Sequence, residues 1–236
     1  MNNILRPLRR VRSFVRRDGR MTDAQKRALE MVWPRVGLDI KAGQINLDSI
    51  FGRKAPCVLE IGFGSGHSLL QMAKSHPHEN FIGIETHLPG IGSLLQGIDA
   101  MELKNVRVYY HDAVEVLTHA IPNDSLEGVQ IFFPDPWPKR KHHKRRLIQP
   151  VFMQLVLNKL KENGTLHLAT DWQEYAAHMM KVLSPISQLK NLSGINQYAG
   201  RSVNRPLITK FERRGIESGR AVWELQFIKE IFSTKY

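Results

Sequence analysis

An α/β fold, with a doubly wound and mostly parallel sheet covered by helices on both faces, is the architecture this sequence predicts. Three observations carry the prediction. Strand and helix patterns alternate from Cys57 onward, a glycine loop joins the first apolar strand to the helix that follows, and four successive strands finish with or near a carboxylate.

The elements follow in order. Thr22 is placed as the N-cap of a first helix over Asp23-Ala24-Gln25-Lys26-Arg27-Ala28-Leu29-Glu30, which Trp33-Pro34 should end. A mixed, Gly-containing stretch to about Pro56 reads as a linker packed on the domain. Apolar strands are expected at Cys57–Ile61, Phe81–Ile84, Val106–Tyr110 and Val129–Phe133, with helices from about Ser68 and Pro89 between them. Leu147, Ile148, Val151, Phe152 and Leu155 form one helical stripe with Pro150 near its first turn or at a kink. Asn163-Gly164 then turns the chain into a strand at Thr165–Thr170, and a helix from about Trp172 stops before Pro185. Asn191–Pro206 reads mainly as loop with a short strand, and Ala221–Ile228 alternates as the last strand. That makes seven strands in all.

Composition narrows the partners. The 236 residues fit one large domain with appendages, and 42% hydrophobic residues suffice for a core. The net charge of +12 is concentrated. Residues 1–20 hold seven Arg against Asp18, a net +6, and Lys139, Arg140, Lys141, Lys144, Arg145 and Arg146 supply another +6 with no acid among them. Two such patches on a near-neutral remainder read as a polyanion footprint. The first twenty residues also carry Ile4, Leu5, Leu8, Val11 and Val15 at helical spacing, as a mitochondrial transit peptide would. The second patch, deep inside the chain, favours a nucleic-acid-binding arm instead. Cys57 is the only cysteine, so no intrachain disulfide forms and a reducing, cytoplasmic setting is expected. No apolar stretch approaches the ~18 to 20 residues of a membrane span, and the N-terminus lacks a secretory apolar region.

The loop Gly62-Phe63-Gly64-Ser65-Gly66 lies where a doubly wound sheet binds a nucleotide-like ligand. A dinucleotide fingerprint would need glycine at position 67, where His67 stands, so pyrophosphate and a nicotinamide oxidoreductase are disfavoured. Glu85 follows Gly64 by 21 residues, the spacing at which a carboxylate meets ribose hydroxyls. Glu60, Glu85, Asp112 and Asp135 converge on the carboxyl edge of the sheet. Any one of them could simply cap the next helix. Together they suit a cationic cofactor and would repel a diphosphate, and S-adenosylmethionine, with a sulfonium and an ammonium, fits.

Pro134, Pro136 and Pro138 stiffen the turn that presents Asp135 and Trp137. Asp135 could hydrogen-bond a guanine amino edge or balance developing positive charge. Adjacent His142 and His143, without Cys or acid at ligand spacing, predict no metal site.

The motifs Arg12-Ser13-Phe14, Gly19-Arg20-Met21-Thr22, Glu60 to Gly66, Gly83-Ile84-Glu85, His111-Asp112-Ala113, Phe133 to Arg146, Thr170-Asp171 and Thr209-Lys210-Phe211-Glu212 together resemble one family. It is that of the bacterial tRNA (guanine-N7)-methyltransferases, of the class I S-adenosylmethionine-dependent type. The resemblance implies a Rossmann-like methyltransferase domain at 57–236, a helix and linker at 21–56 and a basic arm at 1–20. It implies cofactor binding by Glu60, Gly62, Gly64, Glu85, Asp112, Ala113 and Asp135, with Asp135 also catalytic. It implies substrate binding by Lys139, Asp171, Thr209, Lys210, Phe211 and Glu212, and RNA contact by Lys141, His142, His143, Lys144, Arg145 and Arg146. The implied reaction is methyl transfer to N7 of a guanosine in the tRNA variable loop, with the base drawn out of its tertiary contacts.

The expected partners are thus tRNA and S-adenosylmethionine, with neither membrane nor metal, and a monomer slightly favoured. Two alternatives stay open: a non-catalytic RNA-binding module on a nucleotide fold, which would show no cofactor affinity, and a methyltransferase acting on another RNA.

Overall fold

The computed structural model describes residues 19–202, 219 and 221–230. Most of the basic arm and the Thr209–Glu212 motif lie outside the described residues. The first helix, α1, spans Asp23–Val36 and opens with a capping box: Thr22 accepts from the Gln25 N–H while the Gln25 side chain accepts from the Thr22 N–H. It runs past Pro34, where the sequence had ended it. Pro34 falls in the last turn, and burial of Val32 and Val36 favours two further helical residues.

The stretch read as linker holds a two-residue strand β1 (Gly37–Leu38) and a short helix α2 (Leu47–Phe51) capped by Asn46. Ile45 and Phe51 from this stretch enter the main core. The alternating part then runs β2 (Cys57–Ile61), α3 (His67–Ser75), β3 (Asn80–Glu85), α4 (Leu88–Ala100), β4 (Val106–Tyr110), α5 (Ala113–His119) and β5 (Leu126–Phe132). After a 3-10 helix at Arg140–Arg145 come α6 (Pro150–Lys159), β6 (Leu160–Thr170), α7 (Gln173–Leu183), β7 (Leu189–Asn191) and β8 (Trp223–Lys229). Pro150 sits in the first turn of α6, where its missing N–H has no helical partner to lose. Val151, expected on the buried stripe, is instead exposed.

The strands form one eight-stranded sheet, in the order β1-β4-β3-β2-β5-β6-β8-β7. Seven were expected; β1, too short to show periodicity, is the added one. The six strands from β1 to β6 in that order are parallel, and β8 and β7 return antiparallel. β6 begins five residues earlier than expected. Leu126 pairs with Leu160 but Gly128 with Thr165, and Asn163 takes a left-handed φ of 60° in the bulge between.

Side chains alternate between two cores. Leu59, Ile61, Ile82, Val129, Ile131 and Leu168 face α5, α6 and α7, while Val106, Val108 and Phe81 face α1, α3 and α4. From β2 the chain moves one way to β3 and β4, then returns to β5 on the other side of β2. The strand order reverses between β2 and β5, the switch point at whose carboxyl ends doubly wound sheets bind their ligands.

Candidate active site

Each of the four acids reaches the same sheet edge, on the adjacent strands β4, β3, β2 and β5, but their local work differs. Asp112 caps α5, its Oδ1 accepting from the N–H groups of Val114 (2.9 Å) and Glu115 (3.2 Å). Ala113 is the first residue of that helix. Glu85 gathers three backbone donors: Gly64 at 2.9 Å on Oε2, with Thr86 at 2.6 Å and His87 at 3.0 Å on Oε1. It thereby ties the glycine loop to the loop that opens α4.

Glu60 is buried at 2% exposure, and its Oε2 has no hydrogen-bond partner among the described residues. Burial, and then the neighbouring Glu85, pushes its carboxyl up to about 8. A buried oxygen left without a partner is costly, and a cationic donor beside it would favour the ionised form that burial opposes.

The glycine loop offers room for such a ligand. Gly62, Gly64 and Gly66 all take left-handed φ angles, of 76°, 59° and 80°. A Cβ at Gly62 or Gly64 would meet nothing within 4 Å, so the loop borders open space. Behind it packing is tight: a Cβ at Gly90 of α4 would lie 2.2 Å from the Gly64 carbonyl oxygen. Gly90 therefore supports the loop, a role the sequence reading missed. Its signal was the run of glycines at 90, 92 and 97 inside one helix, which marks close approach.

Asp135 is exposed at the end of β5. The turn carrying it bends through left-handed residues at Phe133 (φ 50°) and Trp137 (φ 45°), and the Phe133 N–H donates to the Ala169 carbonyl on β6. Asp171 follows the end of β6, the strand beside Asp135, so the structure brings those two expected site residues to one edge.

The basic run winds into the 3-10 helix, with Lys139 preceding it. Lys139, Lys141 and Lys144 are exposed. His142 packs edge-on to Trp137, and Arg145 lies over the same indole at 4.7 Å. Desolvation and then the cations Lys141, Arg145, Lys139 and Lys144 hold His142 below its ordinary value. His143 lies 3.3 Å from Glu174.

Arg146, expected from the sequence to grip RNA, turns inward instead and is only 3% exposed. Its Nε donates to the Pro136 carbonyl (2.9 Å), its Nη2 meets Glu174 Oε1 (3.0 Å), and its guanidinium stacks 5.0 Å from the Tyr175 ring. Lys210, Phe211 and their neighbours Thr209 and Glu212 are outside the described residues. Among the described residues no group of three or more His, Cys, Asp or Glu could hold a metal ion, and no helix is long and apolar enough to cross a membrane.

Residues 54–225 match the family model described as "Putative methyltransferase". Among solved structures, the 16S rRNA methyltransferase KamB superposes with a TM-score of 0.57 at 13% identity, covering 78% of this chain and 94% of that one. An antibiotic-related methyltransferase superposes at 0.51 with 16% identity, covering 81% of this chain and 94% of that one. Likenesses at that identity establish the fold. The sequence relatives are much nearer. The tRNA (guanine-N(7)-)-methyltransferase of Idiomarina loihiensis is 53% identical over 93% of this chain and 89% of its own. That of Nitrosococcus oceani is 54% identical over 95% and 93%, and that of Salmonella typhimurium 53% over 94% and 92%. With more than half of the aligned positions identical along nearly the whole length, the chain belongs to the tRNA (guanine-N(7)-)-methyltransferase family.

Proposed function

We propose that this protein transfers a methyl group from S-adenosylmethionine to N7 of a guanosine in the variable loop of tRNA. The observation that carries the cofactor assignment is Glu60. Its buried, unpartnered Oε2 lies at the switch point, beside a glycine loop that borders open space, with Glu85 as a second carboxylate. That is a receptor for a positively charged group and a poor one for a diphosphate.

Glu60 and Glu85 would hold the cofactor with the backbone of Gly62 and Gly64, while Asp112 and Ala113 line the neighbouring strand end. When bound, S-adenosylmethionine supplies an electrophilic methyl group on a sulfonium. Guanine N7 carries its own lone pair, so no residue of the chain has to remove a proton to create the nucleophile. The alkylated ring is cationic. Asp135, exposed at the same edge on a turn fixed by three prolines, is placed to balance that charge and to orient the base. Lys139 and Asp171 flank it as substrate contacts, and Lys141 and Lys144 give the phosphate backbone an exposed electrostatic landing surface.

The test is incubation with methyl-labelled S-adenosylmethionine and unmodified tRNA. Label at guanine N7 is expected, and its absence would sink the assignment. Label on another base or another RNA would keep the methyltransferase and discard the substrate.

A further inference from the structure

Between Gly128 and Phe132, Gln130 is the one polar side chain of β5. An interior strand of a parallel sheet is covered on both faces and ordinarily reads as a continuous apolar run. Gln130 departs from this, and its Oε1 is closed to solvent without a hydrogen-bond partner among the described residues. Glu60 Oε2 is in the same condition. The two are register partners on β2 and β5. Both side chains leave the same face of the sheet, from strands about 4.8 Å apart, on the two sides of the switch point.

Two buried acceptors facing one space would be served together by a ligand with several donors. Two carboxyl groups, Glu60 and Glu85, border that space, and a cationic ligand group is the one that favours the ionised form of Glu60. A third carboxylate at 130 would raise the cost of ionising Glu60 further, whereas an amide oxygen adds an acceptor without charge. We propose that Gln130 Oε1 and Glu60 Oε2 together receive the ammonium group of the methionine moiety of S-adenosylmethionine, which makes Gln130 a cofactor-binding residue. The assignment rests on the cofactor reading above. An ammonium has three N–H donors, enough to serve both oxygens at once.

Calorimetric titration of the full chain with three ligands tests it. S-adenosylmethionine and S-adenosylhomocysteine carry the ammonium; 5′-methylthioadenosine lacks the whole amino-acid tail. Gln130→Met, close in shape, should raise Kd for the first two about tenfold, or about 1.4 kcal/mol, and leave 5′-methylthioadenosine within about twofold. Gln130→Asn, which withdraws the acceptor by one carbon, should lose affinity with the same selectivity and serves if the Met variant does not fold.

Equal weakening of all three ligands would overturn the proposal in favour of an internal amide–carboxylate contact. Unchanged binding of all three would overturn it in favour of a buried water. A raised KM for tRNA with unchanged cofactor Kd would overturn it in favour of the base. Failure of the unaltered protein to bind S-adenosylmethionine would remove the cofactor reading itself, whereas normal binding with unselective variants removes Gln130 alone.

Discussion

Cofactor binding should expel a proton from Glu60. Burial and then Glu85 push this carboxyl up to about 8, from an ordinary 4.5. With the folded value raised, the protonated form is the one the fold prefers. Its contribution to stability is full below pH 4.5 and lost as pH rises through about 8, an effect of about 4 to 5 kcal/mol over the whole window. At pH 6.5 the group is roughly 97% protonated. An ammonium placed against it favours the carboxylate, so binding at that pH should release about 0.9 proton. The ligand's own α-amino group titrates near about 8 and is already charged, so it takes up almost none.

Titration calorimetry at pH 6.5 in two buffers of different ionisation enthalpy reads the number directly. Affinity should climb close to tenfold per pH unit from about 6 to 7 and flatten near about 8. Glu60→Gln, fixed in the neutral state, should release almost nothing and bind weakly with no pH dependence. Release below about 0.2 proton by the unaltered protein, with affinity flat over the same range, would refute the reasoning.

Three further outcomes are expected. Asp135→Ala should reduce single-turnover methyl transfer by about 100-fold or more while the urea midpoint barely moves, since the residue is exposed. Gly90→Ala should cost about 1 to 3 kcal/mol in urea unfolding and weaken the cofactor, because the new methyl meets the Gly64 carbonyl oxygen. Arg146→Ala should destabilise by about 2 to 3 kcal/mol, discounted because Glu174 is half exposed, whereas Lys144→Ala should leave stability unchanged and lower the salt slope of tRNA binding by about 0.9.

The parallel sheet was legible because its strands are buried on both faces and read as apolar runs, and because the glycine loop and the acids fall at their ends. What stayed hidden had short or ambiguous signals. β1 has two residues and α5 seven, too few for a period to emerge. The convergence of Glu60, Glu85, Asp112 and Asp135 could be foreseen from strand order, but the division of labour among them could not. Asp112 caps a helix and Glu85 clamps two loops, and only burial singles out Glu60 as the acid short of a donor. Gln130 was invisible for the same reason, since a polar residue in an apolar run gains meaning only from its register partner.

Phe133 and Trp137 both hold left-handed backbone, which costs bulky residues about 1 to 2 kcal/mol each and persists only under constraint from outside the turn. Phe133 is held from β6 by the N–H it donates to the Ala169 carbonyl, and the basic run makes contacts of its own around Trp137. Arg146 reaches back to the Pro136 carbonyl, and Arg145 and His142 press on the Trp137 ring. Six cations in eight positions therefore divide into two sets. Lys139, Arg140, Lys141 and Lys144 face solvent, while Arg145 and Arg146 contact the turn that carries Asp135. The exposed cations and the buried Arg146 belong to one 3-10 helix and its caps, so the exposed face is joined to the Asp135 turn through the Arg146 bond to the Pro136 carbonyl. Charge alone treats all six alike; burial separates Arg146, which is bonded into the turn that carries Asp135.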